Sequence, residues 1–260
     1  MATDVRKKDS DEYIFPKYFF IHLRIKSYLI FRNFRLIILY LAKVLRTRSL
    51  LEQGRPSVTP RALTDQEKEF LQKNDYVFME NIFPADVHKN ILRDWPAFFY
   101  FDPVRDIHKC YDKGWLNKTQ TCDFHPWIGA LHEFFSGKLE DSQKWLDGLP
   151  GSKSRVMNRA LFLRAFSGSS VIAHLDSVNK DPTSSDFLNM IFYVDGTGGY
   201  SSGGTQILDK ETRAVVFEPV NLTNTCLIYR SGVLPHKMER MRRGSFRKAF
   251  TADAVPEDVI

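Results

Sequence analysis

From Met157 to the C-terminal end the chain is written as short apolar runs, "ALFLRAF", "SVIAHLDS", "FLNMIFYV", "TQILD", "AVVFEPV", "TCLIYRS" and "RKAFTA", separated by Gly, Ser and Asn clusters. Runs of this length are too short for helices, and the turn residues between them leave no room for crossover helices. They predict seven short strands in an all-β sandwich or barrel. Upstream the pattern is helical. Thr64 and Glu67 are spaced as a capping box for a helix over "DQEKEFLQKN". "DYVFMENIF" (75–83) alternates as a strand, and Pro84 opens a helix over "ADVHKNILRDW". "WIGALHEFF" (127–135) predicts a further helix, whereas the rest of 97–158 is aromatic-rich and predicts irregular structure. The expected class is therefore α+β. The polar, Pro- and Gly-containing stretch "EQGRPSVTPRA" (52–62) marks a boundary between an extension over 1–55 and one domain over 56–260.

The extension holds the charge. Between residues 13 and 51 there is no Asp or Glu, while Lys17, Arg24, Lys26, Arg32, Arg35, Lys43, Arg46 and Arg48 more than account for the net charge of +6. The remainder is slightly acidic, which excludes a globally basic nucleic-acid binder. On a helical wheel most of these cations form one stripe, opposite Phe19, Phe20, Leu23, Ile30, Phe31, Phe34, Ile37, Ile38, Leu41 and Leu45. The longest uncharged run, Leu36 to Ala42, is far short of the ~20 apolar residues a bilayer span needs. A basic amphipathic helix of this kind fits the surface of an anionic membrane. That is the better physical fit; a helix packed on the protein's own core is the alternative. A transit peptide is a third reading, opposed by Asp4, Asp9, Asp11 and Glu12 just upstream. The three cysteines, Cys110, Cys122 and Cys226, are widely spaced and form no disulfide framework, so a reducing, cytosolic location at the membrane face is expected.

One short stretch among the strands carries chemistry. In "AHLDS" (173–177), His174 and Asp176 project to the same side of a strand, because alternate residues share a face. An imidazole and a carboxylate converging inside a barrel are two ligands of a three-ligand face, the 2-His-1-carboxylate arrangement that holds ferrous iron with positions open for O2 and a cosubstrate. A His-x-Asp alone is too short to be specific, and a hydrogen-bonded core histidine explains it as well. Support has to come from downstream.

It does. "LRAFSGSSVIAHLD" places Gly168 six residues before His174, "NMIFYVDG" leads through a Gly/Ser loop to "GGTQILD", and the chain closes on "YRSGVLPHKMERMRRGSFR". In this order and spacing the sequence resembles the iron(II)/2-oxoglutarate-dependent dioxygenases, in the branch of the prolyl-hydroxylase-like and phytanoyl-CoA-hydroxylase-like enzymes. The resemblance implies a double-stranded β-helix (jelly-roll) core flanked by helices. It implies His174, Asp176 and His236 as ligands of Fe(II), with Met238 and Met241 at apolar positions and Gly244 in a turn. 2-Oxoglutarate and O2 are the implied cosubstrates, with ascorbate as an auxiliary reductant. The distal carboxylate of 2-oxoglutarate needs a buried cation, and a bidentate Arg is suited to it. Arg247 is that residue by resemblance, although it stands three residues after Gly244 where the family has two, so Lys248 is the other candidate. Both can also be read as solvated members of a basic cluster with Arg240, Arg242 and Arg243. Ala165 stands where many relatives carry a cosubstrate-binding Tyr, and Asn189 is the residue expected to supply that contact. Arg164 reads as an edge residue.

The implied reaction couples decarboxylation of 2-oxoglutarate to succinate with oxidation of an unactivated C–H bond. The presence of Asp176, where halogenating relatives have a small residue, points to hydroxylation. The amphipathic segment makes a lipid or lipid-linked glycan at an anionic membrane surface the expected substrate. A soluble metabolite or a protein side chain is the competing enzyme reading, and a non-catalytic jelly-roll module recruiting a partner to a membrane is the alternative from another class. Other signals are weaker. "TGGYSSGG" (197–204) has a phosphate-loop composition but precedes a strand, so it reads as a turn or lid. Cys110, Cys122 and His125 lack a C-x-x-C pair and make a poor zinc site.

Overall fold

The computed structural model describes residues 56–96, 101–105, 109–114, 125–137, 139–150, 155–176 and 187–256. The amphipathic segment and Cys122 lie outside the described residues, as does the side chain of Cys110. Helix α1 (Asp65–Asn74) begins where the capping box places it: Glu67 N–H donates to Thr64 Oγ1 at 3.2 Å, and Thr64 N–H donates back to the Glu67 carboxylate at 2.8 Å. Arg61 fastens the same carboxylate from the other side, its two terminal nitrogens 2.7 and 2.8 Å from the two oxygens. This pairing and the Thr64 bonds hold the Glu67 carboxyl below its usual range. Thr64→Ala should cost about 1 kcal/mol, read as a fall of a few degrees in the thermal midpoint.

Strand β1 (Tyr76–Glu80) follows, then α2 (Ala85–Asp94), the hairpin strands β2 (Phe101–Arg105) and β3 (Lys109–Gly114), and helices α3 (Pro126–Phe135) and α4 (Glu140–Asp147). The remaining strands are β4 (Arg155–Phe166), β5 (Ser170–His174), β6 (Leu188–Gly196), β7 (Thr205–Leu208), β8 (Val215–Phe217), β9 (Thr225–Arg230), β10 (His236–Met238) and β11 (Phe246–Pro256). Among the described residues the pairing path is β1-β9-β6-β11-β4-β3-β5-β10-β7-β8, with β2 on β3, and every pairing is antiparallel.

This path differs from the expectation in three places. The irregular stretch contains the β2–β3 hairpin and α4. The C-terminal region holds an eighth strand, β10, only three residues long and therefore without a period to read. Arg164 is not an edge residue: its strand is paired on both sides, with Asp112 and Lys248 as its Cα partners, and its guanidinium lies 5.1 Å from the Phe166 ring centroid.

The wall formed by β1, β9, β6, β11 and β4 has two buried faces. On one, Met190, Phe192, Val194, Cys226, Ile228, Phe250 and Ala252 pack with Leu71, Ile91, Leu131, Phe134 and Phe135 of the helices. Phe135 lies 4.3 Å from Phe192 and 4.8 Å from Phe250, centroid to centroid. On the other, Leu163, Ile191, Tyr193, Leu227, Tyr229 and Ala249 pack with Ile207 of β7, so the second run of strands folds back over this face. Burial on both sides is why β6 reads as an unbroken apolar run instead of alternating. The space between the two layers is where the conspicuous polar residues converge.

Candidate metal centre

His174 ends β5, and His236 opens β10 directly opposite it as its Cα partner. The same pair of strands matches Met238 with Val171, so three steps along β5 answer two steps along β10. This bulge turns both Val171 and His174 toward the interior, a re-aiming for which bulges are commonly used. The two imidazoles lie 4.3 Å apart, centroid to centroid. Asp176 follows the end of β5, held by its N–H on the Ser231 carbonyl at 3.1 Å. Its Oδ1 is 3.4 Å from His174 Nε2, and its Oδ2 is 3.5 Å from His236 Nε2. One ligand atom from each of the three residues lies within 4.8 Å of the other two.

The protonation pattern follows from what surrounds each ring. His174 Nδ1 meets the carbonyl of Ile172 at 2.8 Å, and His236 Nδ1 meets that of Leu234 at 3.2 Å. A carbonyl only accepts, so Nδ1 carries the hydrogen and Nε2 presents its lone pair. Two lone pairs and a carboxylate then face one point, which is repulsive unless something positive sits among them. That donor set is the one suited to ferrous iron, so the residues fit such an ion. Without the metal, a proton on His174 serves instead: the Asp176 carboxylate raises its pKa above 6.5, and burial opposes the rise. His236, 5% exposed, is driven to about 4, chiefly by burial. At neutral pH a divalent ion therefore displaces no proton from His236, while at His174 it competes with a proton once the pH falls below that residue's raised pKa. Mn(II) affinity should be flat at high pH and fall about tenfold per unit once pH drops below the His174 pKa, with one proton released per metal bound; calorimetry in buffers of different ionisation heat measures both.

A cavity of about 150 Å³ opens on the three ligands and is lined also by Arg247, Asn189, Thr251 and Lys109. Arg247 is 3% exposed, with its Cα partner Ala165 on β4. Its Nη1 donates to the Gly203 carbonyl, and its guanidinium lies 5.7 Å from the Tyr193 ring centroid. Lys248 points the other way, onto Asp195 at 3.0 Å, as strand alternation requires. Gly203 adopts φ +107° with the Arg247 Cβ close by, and a Cβ on Gly204 would fall 2.5 Å from the Pro219 carbonyl oxygen. The glycine pair is therefore what lets the 197–204 turn close over Arg247. Asn189 lies between two groups: its Nδ2 is 3.4 Å from Asp176 Oδ2, and the Thr251 hydroxyl is 3.4 Å from its Oδ1. It braces the Asp176 carboxylate while lining the same cavity as Arg247. His125 is buried against Asp94, its Nδ1 2.7 Å from that residue's carbonyl oxygen.

Tyr193, which the sequence did not single out, packs against Arg247 but is not among the residues lining the cavity. It lies in the middle of β6, wholly buried beside Arg247, and its hydroxyl accepts from Thr205 N–H at 2.9 Å. The available signal was a tyrosine inside an otherwise apolar strand, since a buried hydroxyl must find a partner.

No protein-family model matches the sequence, and no curated protein matches it. Solved structures do match in three dimensions. A prolyl hydroxylase from Trichoplax adhaerens, in complex with a hypoxia-inducible-factor peptide fragment, superposes with a TM-score of 0.53 at 12% identity, covering 74% of this chain and 89% of that one. HygX from Streptomyces hygroscopicus, with nickel and 2-oxoglutarate bound, gives 0.55 at 10% identity over 75% and 88%. A 2OG-Fe(II) oxygenase-family oxidoreductase from Burkholderia pseudomallei gives 0.54 at 14% over 77% and 96%. The chain has the jelly-roll fold of the 2-oxoglutarate- and iron(II)-dependent oxygenases.

Proposed function

We propose that the protein is an iron(II)- and 2-oxoglutarate-dependent oxygenase that hydroxylates an unactivated C–H bond. The observation that carries this reading is one cavity lined both by the His174, Asp176 and His236 ligand set and by the buried Arg247. His174 Nε2, His236 Nε2 and one Asp176 oxygen would hold the iron, leaving coordination positions for a chelating cosubstrate and O2. Iron and 2-oxoglutarate together supply the oxidising chemistry, with succinate and CO2 as co-products. The chain's own contribution is positional. Arg247 receives the distal carboxylate, its guanidinium backed by the Tyr193 ring. Asn189 keeps Asp176 turned inward, and Leu161, Leu163 and Ile191 form an apolar lining that limits water around the centre. The test is succinate release from 2-oxoglutarate by the Fe(II)-loaded full chain with ascorbate; a metal-binding chain that consumes no 2-oxoglutarate with any tested substrate pool overturns the reading.

The substrate side of the proposal rests on sequence. The acid-free basic segment over 13–51 favours work at an anionic membrane surface on a lipid or lipid-linked glycan, with 1–55 acting as an extension to a catalytic domain over 56–260. No helix among the described residues is long and apolar enough to cross a membrane. Deleting residues 1–55 should abolish co-sedimentation with anionic liposomes, and unchanged partitioning removes the lipid inference in favour of a soluble metabolite or protein side chain.

A further inference from the structure

The proposed mechanism gives Arg247 to the cosubstrate, and the 197–204 turn between β6 and β7 gives Arg247 its aim, because the Gly203 carbonyl accepts from Nη1. That carbonyl belongs to no strand ladder, so something else must hold it. Ser201, two residues before it, adopts φ +53°, a left-handed conformation uncommon outside glycine that persists only where neighbouring contacts enforce it.

Glu218 supplies those contacts. It directly follows β8 and is half-buried. Ser201 N–H donates to its Oε1 at 2.7 Å, and Gln206 Nε2 donates to its Oε2 at 2.7 Å. The two donors bracket Gly203, so one carboxylate spans the stretch that carries the critical carbonyl. The next residues extend the same support. The Pro219 carbonyl oxygen abuts Gly204, and Gly199 N–H donates to the Val220 carbonyl at 2.8 Å. On the other side of the turn, Arg242 N–H donates to the Ser201 carbonyl at 3.0 Å, and Arg242 Nη2 donates to the Gly198 carbonyl at 2.8 Å. Glu218 is the one carboxylate among these contacts, and both of its donors are uncharged amides.

We propose that Glu218 is a positioning residue for cosubstrate binding: it clamps the 197–204 turn on both sides of Gly203 and thereby aims the Arg247 guanidinium at the distal carboxylate of 2-oxoglutarate. The inference rests on the oxygenase reading above and extends it to a residue outside the cavity lining. The effect is selective for one end of the cosubstrate. The metal ligands stand on β5, on β10 and just beyond β5, and none of them is bonded to the turn, so the chelating end is indifferent to Glu218.

The test uses the full chain loaded with Mn(II) and titrated by calorimetry with two ligands. One is 2-oxoglutarate; the other is 2-oxopentanoate, which keeps the chelating 2-oxo acid and lacks the distal carboxylate. Glu218→Ala should weaken 2-oxoglutarate roughly tenfold, the size of one hydrogen bond to a charged group, and leave 2-oxopentanoate and Mn(II) affinity unchanged. Glu218→Gln should retain most of the affinity. The Gln206 amide, whose Oε1 has no hydrogen-bond partner among the described residues, can turn over and accept from the introduced amide. Gln206→Met, which keeps bulk and removes one of the two donors, should show the same selectivity at smaller size. In an Arg247→Met background Glu218→Ala should add nothing, since the two side chains act on the ligand as one unit. Equal loss of both ligands in Glu218→Ala and Gln206→Met marks a purely structural role and overturns the assignment. Unaltered 2-oxoglutarate affinity in both variants, or a full further loss in the Arg247→Met background, overturns it as well and leaves the oxygenase reading standing. Wild type that binds Mn(II) but not 2-oxoglutarate takes down both.

Discussion

Asp176→Ala, His174→Ala and His236→Ala should each reduce succinate formation to that of free iron, and each should lower bound Fe(II) in parallel. The reason is the economy of the proposed centre: its three candidate ligands come from one strand pair and the turn just beyond it, and no other candidate metal cluster of three exists among the described residues. Losing one imidazole leaves a two-ligand site, which no neighbour in the cavity lining can complete, because the other polar groups there are amide, hydroxyl or cationic. Asp176→Ala is the cleanest variant, since Asp176 is partly exposed, whereas His236 is packed edge-on against Tyr229 with centroids 4.8 Å apart. Truncating His236 also opens a hole, so its thermal midpoint should be recorded beside its activity. Undiminished succinate in all three variants would sink the iron site.

Arg247→Met should raise KM for 2-oxoglutarate about a hundredfold with a smaller effect on kcat, because charge-assisted hydrogen bonds to a buried carboxylate are worth roughly 1.5–3 kcal/mol each. Lys should rescue part of the loss by restoring charge without the bidentate fork. Lys248→Ala is the informative comparator. Its ammonium is tied to Asp195 on the outer side of the same strand, so KM for 2-oxoglutarate should move less than about twofold, the scale of a partly exposed ion pair. If Lys248→Ala raises KM and Arg247→Met does not, the cosubstrate pocket has been assigned to the wrong face of β11.

Much of this was legible before any coordinates. The α1 cap was readable because Thr64 and Glu67 act within one turn, and the long strands because their apolar runs are bounded by Gly and Ser. His174 and Asp176 were readable as a pair because they lie two residues apart. His236 was not derivable from spacing at all; it rested on family likeness, since its three-residue strand has no period and its proximity to His174 is a product of cross-strand register. The bulge in β5 was equally hidden. Simple alternation sets Val171 and His174 on opposite faces, and only the mismatch with β10 puts them together. Which of Arg247 and Lys248 faces the cavity depends on the position of one turn: Gly244 at φ +82° and the Ser245-to-Arg242 hydrogen bond delay the strand to Phe246. Arg164 was misread because β3, its neighbour, lay in the stretch whose sequence carries no clear pattern.

Each imidazole is aimed by a carbonyl two residues earlier in its own chain, Ile172 for His174 and Leu234 for His236. The aim of His174 is thus inherited from its own strand, and that of His236 from the short β9–β10 connection just before its strand. Changes in loops other than 231–235 can therefore recarve the outer vestibule while both rings keep their bearings, whereas that one connection, which also holds Asp176 through Ser231, cannot be altered without disturbing the cluster.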